Sequence, residues 1–120
     1  MHRRIWLLIL TCSLVWPGCN KAASTDELIE DLSSTDTEDR VKAVRLLQGR
    51  QSDGDKVVPA MIKLLDDKAV NVRLSAIIGL GYFGADAETA LPELEKAEKD
   101  PDGKIRRAAT TAIARIRGEE

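Results

Sequence analysis

The amino-acid sequence predicts an all-α fold, a right-handed α-α superhelix of three stacked helix pairs. Apolar residues recur at helical spacing in six segments, and no segment alternates as a strand would. The pattern also repeats every 33 residues. Because one helix pair cannot bury its apolar face alone, three pairs are the minimum that encloses a continuous core. The spacing relates Leu28, Met61 and Leu94; Arg40, Arg73 and Arg106; Ala43, Ala76 and Ala109; and Leu47, Leu80 and Ile113.

Residues 1–18 are interpreted as a signal peptide. Two arginines give a basic start, and an apolar run of 12 residues follows from Ile5 to Trp16. Such a run is too short for a transmembrane helix but is typical of a signal-peptide core. Cys19 follows directly after Gly18. This arrangement resembles the lipobox of bacterial lipoproteins, in which the cysteine is acylated and becomes the first residue of the mature chain.

The lipobox resemblance implies a lipid anchor and a location. Two or three acyl chains hold a protein stably on a membrane, whereas one chain binds only marginally. Asn20, and not an aspartate, follows the cysteine. By the sorting rule of Gram-negative lipoproteins this implies the periplasmic face of the outer membrane. Trp16 and Pro17 depart from the usual lipobox residues, so cleavage near Ala22 or Ala23 with secretion, or an uncleaved anchor, stays open.

After the leader, residues 19–25 are predicted to form a lipidated tether, and residues 26–120 to form the domain. Its repeats are placed at 26–58, 59–91 and 92–120. Ser24 and Glu27 form a capping-box signal, and the run from Thr35 to Glu38 is a second capping signal. Pro59 and Pro92 stand near the starts of the third and fifth helices. The six helices are predicted at 26–32, 36–48, 56–65, 71–84, 86–99 and 104–117.

The central segment carries a family resemblance. It reads Leu-Leu-Asp-Asp-Lys-Ala-Val-Asn-Val-Arg-Leu-Ser-Ala-Ile-Ile-Gly-Leu-Gly from Leu64 to Gly81. This resembles the short HEAT-like repeats also found in phycobilisome lyases, in which an acidic turn precedes a helix that begins Val-Arg. The resemblance covers about residues 26–117. It implies a helix-pair solenoid whose second helices line the concave side, and it gives no reason to transfer an activity.

Three arginines recur early in the second helices, where a positive charge meets the helix dipole unfavourably. We therefore predict that Arg40, Arg73 and Arg106 point to acids, and that Asp67 and Asp100 in the turns are their partners. The result would be a structural ladder of ion pairs along the stack. The alternatives are arginines that are simply solvated, or arginines held ready for a ligand.

Composition excludes several functions. Beyond residue 18 there are 16 basic and 20 acidic residues, no histidine, and a single cysteine that the lipobox would modify. A net charge of −4 argues against nucleic-acid binding. Histidine-based triads, thiol nucleophiles and Cys/His metal sites lack their residues. The sequence therefore predicts no enzyme, no metal site and no cofactor.

An exposed helix surface is a better functional candidate in this sequence than a catalytic or metal site. On the central second helix, Leu74 and Ile78 are predicted to point away from the core stripe, and equivalent residues follow in the neighbouring helices. The predicted function is an envelope-anchored scaffold that binds an unidentified protein partner. The alternatives are lateral packing of these residues, or a structural lipoprotein that binds peptidoglycan or lipid through its charges. The predicted partner-binding ridge comprises Val41, Arg45, Leu74, Ile78, Arg107 and Thr111.

Overall fold

The computed structural model describes residues 22–119, and this part of the chain is helical without a strand. The predicted all-α solenoid of three helix pairs is confirmed. The pairs are α1 with α2, α3 with α4, and α5 with α6. The α-helices are α1 (Thr25–Asp31), α2 (Thr37–Leu47), α3 (Gly54–Lys63), α4 (Val70–Phe83), α5 (Leu91–Ala97) and α6 (Gly103–Arg117).

Side chains cap three of these helices at their N-termini. Ser24 and Glu27 form the predicted capping box on α1. Asp36 accepts hydrogen bonds from two backbone N–H groups of α2, and Asp102 does the same for α6. Helix α4 has no such side-chain cap. Its position therefore depends on packing more than on local signals.

The fifth helix is shorter than predicted. The segment Gly84–Ala90 is a 3₁₀ helix, and only Leu91–Ala97 is α-helical. Pro92 has no N–H with which to bond the carbonyl of Glu88, which instead accepts from Leu91 three residues on. Residue Ala87 also has non-helical dihedrals, φ −97° and ψ 17°. The α-helix therefore starts at Leu91, directly before the proline, and not at residue 86.

The predicted boundary between the first two repeats lies within a helix of the structure. Placed between residues 58 and 59, it falls inside α3, which starts at Gly54 and contains Pro59. The proline removes the helical partner of the Asp55 carbonyl, and both residues are exposed to water. The connections between pairs are instead the short 3₁₀ helices Gln51–Asp53 and Gly84–Ala90.

One apolar core runs through the three pairs. Residues at the repeated positions form its centre. The side chains of Leu47, Met61, Leu80 and Leu94 are fully buried, and the repeated alanines are at most 2% exposed. Burial of a leucine-sized side chain stabilises a fold by roughly 1.5–3 kcal/mol. The 33-residue register therefore places equivalent side chains in equivalent layers of the core.

Three glycines, Gly79, Gly81 and Gly84, lie at the C-terminal end of α4, but not all of them end the helix. Gly84 does: it caps α4 with φ +55° and ψ −133°. Gly79 and Gly81 are instead buried inside the helix. A Cβ at Gly79 would lie 3.1 Å from the Met61 sulfur, and one at Gly81 would lie 3.4 Å from the Ala112 Cα. These two glycines let neighbouring helices approach closely.

The outer face of the third pair is polar. Glu95, Glu98 and Thr110 are exposed at positions where the second pair has Ile62, Leu65 and Ile77. The Thr110 hydroxyl donates to Glu98 at 2.9 Å. Polar outer faces are typical of the capping repeats that solenoids need for solubility.

Candidate protein-binding surface

The repeated arginines join neighbouring helix pairs. Arg40 is 5% exposed, and its Nε lies 2.9 Å from Asp67 Oδ2 while its Nη2 donates to Asp67 Oδ1 at 3.1 Å. Arg73 Nε lies 3.2 Å from Asp100 Oδ2. In both arginines the Nε–H is buried but not aligned for a hydrogen bond, so this contact is an ion pair. The structure thus brings two of the three arginines to the two aspartates.

Each arginine also holds the turn of its own pair, which the sequence prediction missed. Arg40, Arg73 and Arg106 donate through Nη1 to the carbonyl six residues earlier, at 2.8, 2.9 and 2.8 Å. For Arg106 no carboxylate within residues 22–119 lies at ion-pair distance, and its guanidinium instead contacts the carbonyls of Asp100 and Pro101. The ladder therefore links turn to turn and serves the fold.

Two residues of the predicted ridge lie in the packing and not on a free surface. Val41 is 7% exposed and belongs to the core, and Leu74 is half-buried against it. Both residues are buried because they lie on the face of their helix that contacts the neighbouring second helix. Val41 shares a face of α2 with Gln48, which lies beside Gly79, and Leu74 shares a face of α4 with Gly81, which lies beside Ala112. This face packs against the next second helix.

The other ridge residues are exposed: Arg45, Ile78, Arg107 and Thr111. Ile78 and Thr111 lie together in a groove between α4 and α6 with a volume of about 350 Å³. The groove extends beyond the predicted ridge. It is lined by Ile78, Gly81, Tyr82, Ala108, Thr111, Ala112 and Arg115.

The groove has an apolar wall and a cationic wall. On α4, Ile78 is 39% exposed and Tyr82 is 58% exposed, which makes them two of the four large apolar side chains exposed within residues 22–119. On α6, the guanidinium of Arg115 lies 5.7 Å from the centre of the Tyr82 ring. This distance is within the range of a cation–π contact, which keeps the tyrosine ring and the charge side by side.

Tyr82 and Arg115 do not belong to the ridge that was predicted from the sequence. They lie one turn beyond Ile78 and Thr111 at equivalent repeat positions. One signal could have found them: the segments Val70–Phe83 and Gly103–Arg117 contain no acidic residue, although the chain has more acidic than basic residues. We call the exposed residues on this side the second-helix surface. It comprises Arg45, Ile78, Tyr82, Arg107, Thr111 and Arg115.

Other features lie away from this surface. The Lys96 ammonium donates to Glu93 at 2.8 Å, and this hydrogen bond raises the pKa of Lys96. Within residues 22–119, no three His, Cys, Asp or Glu side chains lie close enough together to hold a metal ion. No helix in this range is long and apolar enough to span a bilayer. The predicted lipidation site, Cys19, lies outside the described residues.

Comparisons with known proteins bear on the fold. A family model described as HEAT repeats matches residues 25–114. Among solved structures, the complex of CpcE and CpcF of phycocyanin lyase from Nostoc sp. PCC7120 matches with a TM-score of 0.72 and 24% identity. The match covers 81% of this chain but only 38% of that one. Comparison with curated proteins gives no match.

The two positive comparisons differ in what they establish. At 24% identity the structural likeness shows a shared fold and nothing about activity. The family match covers more than half of the chain and extends from the start of α1 into the last turn of α6. It confirms the resemblance drawn from the acidic turn and the Val-Arg helix start. This chain belongs to the family of HEAT repeat proteins.

Proposed function

We propose that this protein is a non-catalytic, envelope-anchored scaffold that binds another protein through its second-helix surface. The observation that carries the proposal is the groove between α4 and α6, in which Ile78 and Tyr82 remain exposed beside Arg115. Aromatic residues and arginine are enriched where proteins bind one another. HEAT repeats also suggest an interaction scaffold, because stacked helix pairs create extended binding surfaces.

The proposed anchor would be separated from the folded domain by only a short length of chain. The Ala23 carbonyl accepts a hydrogen bond from Arg50 at 2.7 Å, and Thr25 is hydrogen-bonded to Asp53. These contacts fix the chain from Ala23 onwards. Only Asn20, Lys21 and Ala22 would separate an acylated Cys19 from that point, a reach of at most about 14 Å. The scaffold would therefore stand close to the membrane surface.

The absence of catalysis is part of the proposal and rests on chemistry. Beyond Cys19 the chain has no histidine and no cysteine, so nucleophile–base pairs that use either residue cannot form. The side chains of the groove are apolar, hydroxyl or cationic. Such a set suits recognition of a partner, not proton transfer.

Co-purification of the full-length protein from its own cells tests the function. Ile78→Asp places a charge in the groove, and we expect it to lose a partner that the unmodified protein retains under the same conditions. Lys63→Asp changes an exposed residue at the end of α3 and should retain the partner. Salt-sensitive binding to purified peptidoglycan, with no protein partner retained, would contradict the proposal and favour the structural-lipoprotein alternative.

A further inference from the structure

Charge is divided between the two rows of helices. The second helices α2, α4 and α6 contain nine basic and two acidic residues, and both acids lie in the first turn of α2. The first helices α1, α3 and α5 contain seven acidic and three basic residues. Since the whole chain has a net charge of −2, this division does not follow from composition.

The ladder accounts for only part of the positive charge on the second helices. Arg40 and Arg73 are largely buried in their ion pairs with the next turn. Arg45, Arg107 and Arg115 are exposed on the second-helix surface. Exposed charges of one sign along a surface attract a partner of the opposite sign and orient its approach.

Two of these arginines lie on the α6 side of the groove: Arg115 lines it, and Arg107 lies two turns earlier on the same helix. Arg107, Thr111 and Arg115 follow each other at intervals of four residues along α6, with Ile78 and Tyr82 opposite on α4. Arg107 lines an adjoining cavity with Thr111, Arg106, Thr110 and the single acidic residue Glu98, whereas Arg115 lines the groove itself. Eight residues of helix separate the two arginines by about 12 Å. Small side chains, Ala108 and Ala112, leave room between them.

We infer that the partner presents an acidic amphipathic helix, with two carboxylates about 12 Å apart and an apolar side chain between them that enters the groove. On such a helix the carboxylates lie seven or eight residues apart, with the apolar residue midway. The carboxylates meet Arg107 and Arg115, and the apolar side chain contacts Ile78 and Tyr82. This inference rests on the proposed function and specifies the chemistry of the partner.

The test uses full-length protein in neutral detergent and fluorescent peptides of about 20 residues. One peptide carries glutamate and leucine at the stated spacing. A second has lysine for each glutamate, and a third is polyglutamate of the same length. Anisotropy should show binding of the first peptide at least about tenfold tighter than of the other two, weakening as salt is raised. Equal binding of the lysine peptide or of polyglutamate would overturn the inference.

Variants tie the binding to these arginines. Arg107→Glu with Arg115→Glu should weaken binding of the first peptide at least about tenfold. The matched control, Lys63→Glu with Lys99→Glu, makes the same change of charge at exposed residues outside the second helices and should change binding less than about twofold. Thermal melting by circular dichroism shows whether each variant is folded. Equal losses in the two folded double variants would contradict the inference, as would preferential binding to anionic lipid vesicles.

The two proposals can fail separately. A protein partner that depends on Ile78 but binds independently of salt and of the two arginines would leave the scaffold function standing and overturn the acidic-helix inference. Specific binding of the acidic peptide, with no partner retained from cells, would support the chemistry of the groove and contradict the scaffold function.

Discussion

Arg40 of the first helix pair contacts Asp67 of the second at two points, with Nε to Oδ2 at 2.9 Å and Nη2 to Oδ1 at 3.1 Å. Both side chains are nearly buried, at 6% and 11% exposure. A pair of this kind couples two repeats through charge as well as through apolar packing. Removal of one partner leaves a buried charge without compensation, which is costly.

Loss of the carboxylate at Asp67 should therefore destabilise the protein. We expect Asp67→Ala to lower the free energy of unfolding by about 3 kcal/mol, because Arg40 stays buried without its counter-ion. Asp67 also accepts a hydrogen bond from the Ala69 N–H at 2.9 Å. The variant Asp67→Asn keeps an acceptor for that hydrogen bond, so it removes the charge alone. Chemical denaturation measures the change. Arg106→Ala serves as the comparison, because Arg106 forms no ion pair with a carboxylate of residues 22–119. Equal losses at Asp67 and Arg106 would contradict the ladder.

Substitution of Gly84 should destabilise the protein more than substitution of Gly118. Its dihedrals, φ +55° and ψ −133°, are strained for any residue with a Cβ, although an added Cβ would have no steric clash beyond its chain neighbours. Gly84→Ala should lower the free energy of unfolding by about 1–3 kcal/mol through backbone strain alone. Gly118→Ala is the control, because its φ of +69° and ψ of +31° fall in the left-handed helical region. A smaller loss at Gly84 than at Gly118 would be inconsistent with this view.

Leu74 and Ile78, one turn apart on α4, should respond differently to the same substitution. Leu74 packs against the core, so Leu74→Asp should lower the free energy of unfolding by about 2 kcal/mol or more. Ile78 is 39% exposed, so Ile78→Asp should keep the melting temperature nearly unchanged and remove partner binding. Circular dichroism melts and co-purification distinguish the two. Similar melting temperatures for both variants would show that Leu74 is not part of the core.

The contrast between these two residues shows the limits of reasoning from the sequence. The 33-residue register related the core alanines and leucines, and it singled out Asp67 and Asp100 as partners of the arginines without assigning one to each. In the structure Asp67 pairs with Arg40 and Asp100 with Arg73. The register could not tell that Val41 and Leu74 face the next second helix, because lateral offset between helices is set by close contacts such as Gly81 against Ala112. For the same reason the cation–π contact of Tyr82 and Arg115 was missed. The short α5 follows from a missing N–H at Pro92, a local effect that periodicity does not report.

The lipid anchor is tested independently of the fold. Cys19→Ala removes the thiol that acylation requires, so the protein should move from the membrane fraction to the soluble fraction or accumulate as a longer precursor. Incorporation of labelled palmitate into the unmodified protein, and its loss in the variant, measures the modification. Helical content by circular dichroism should be unchanged. Palmitate labelling that persists in Cys19→Ala would contradict the anchor.

Crosslinking in intact cells tests the central proposal most directly. A photoreactive amino acid is introduced at Ile78 or Tyr82 on the second-helix surface, and in separate variants at Lys63 or Lys99 among the exposed residues of the other row. The products are separated and identified by mass spectrometry. A protein-binding groove predicts one discrete product from Ile78 and Tyr82 that is absent from Lys63 and Lys99. The same products from all four positions, or products from Lys63 and Lys99 alone, would contradict it.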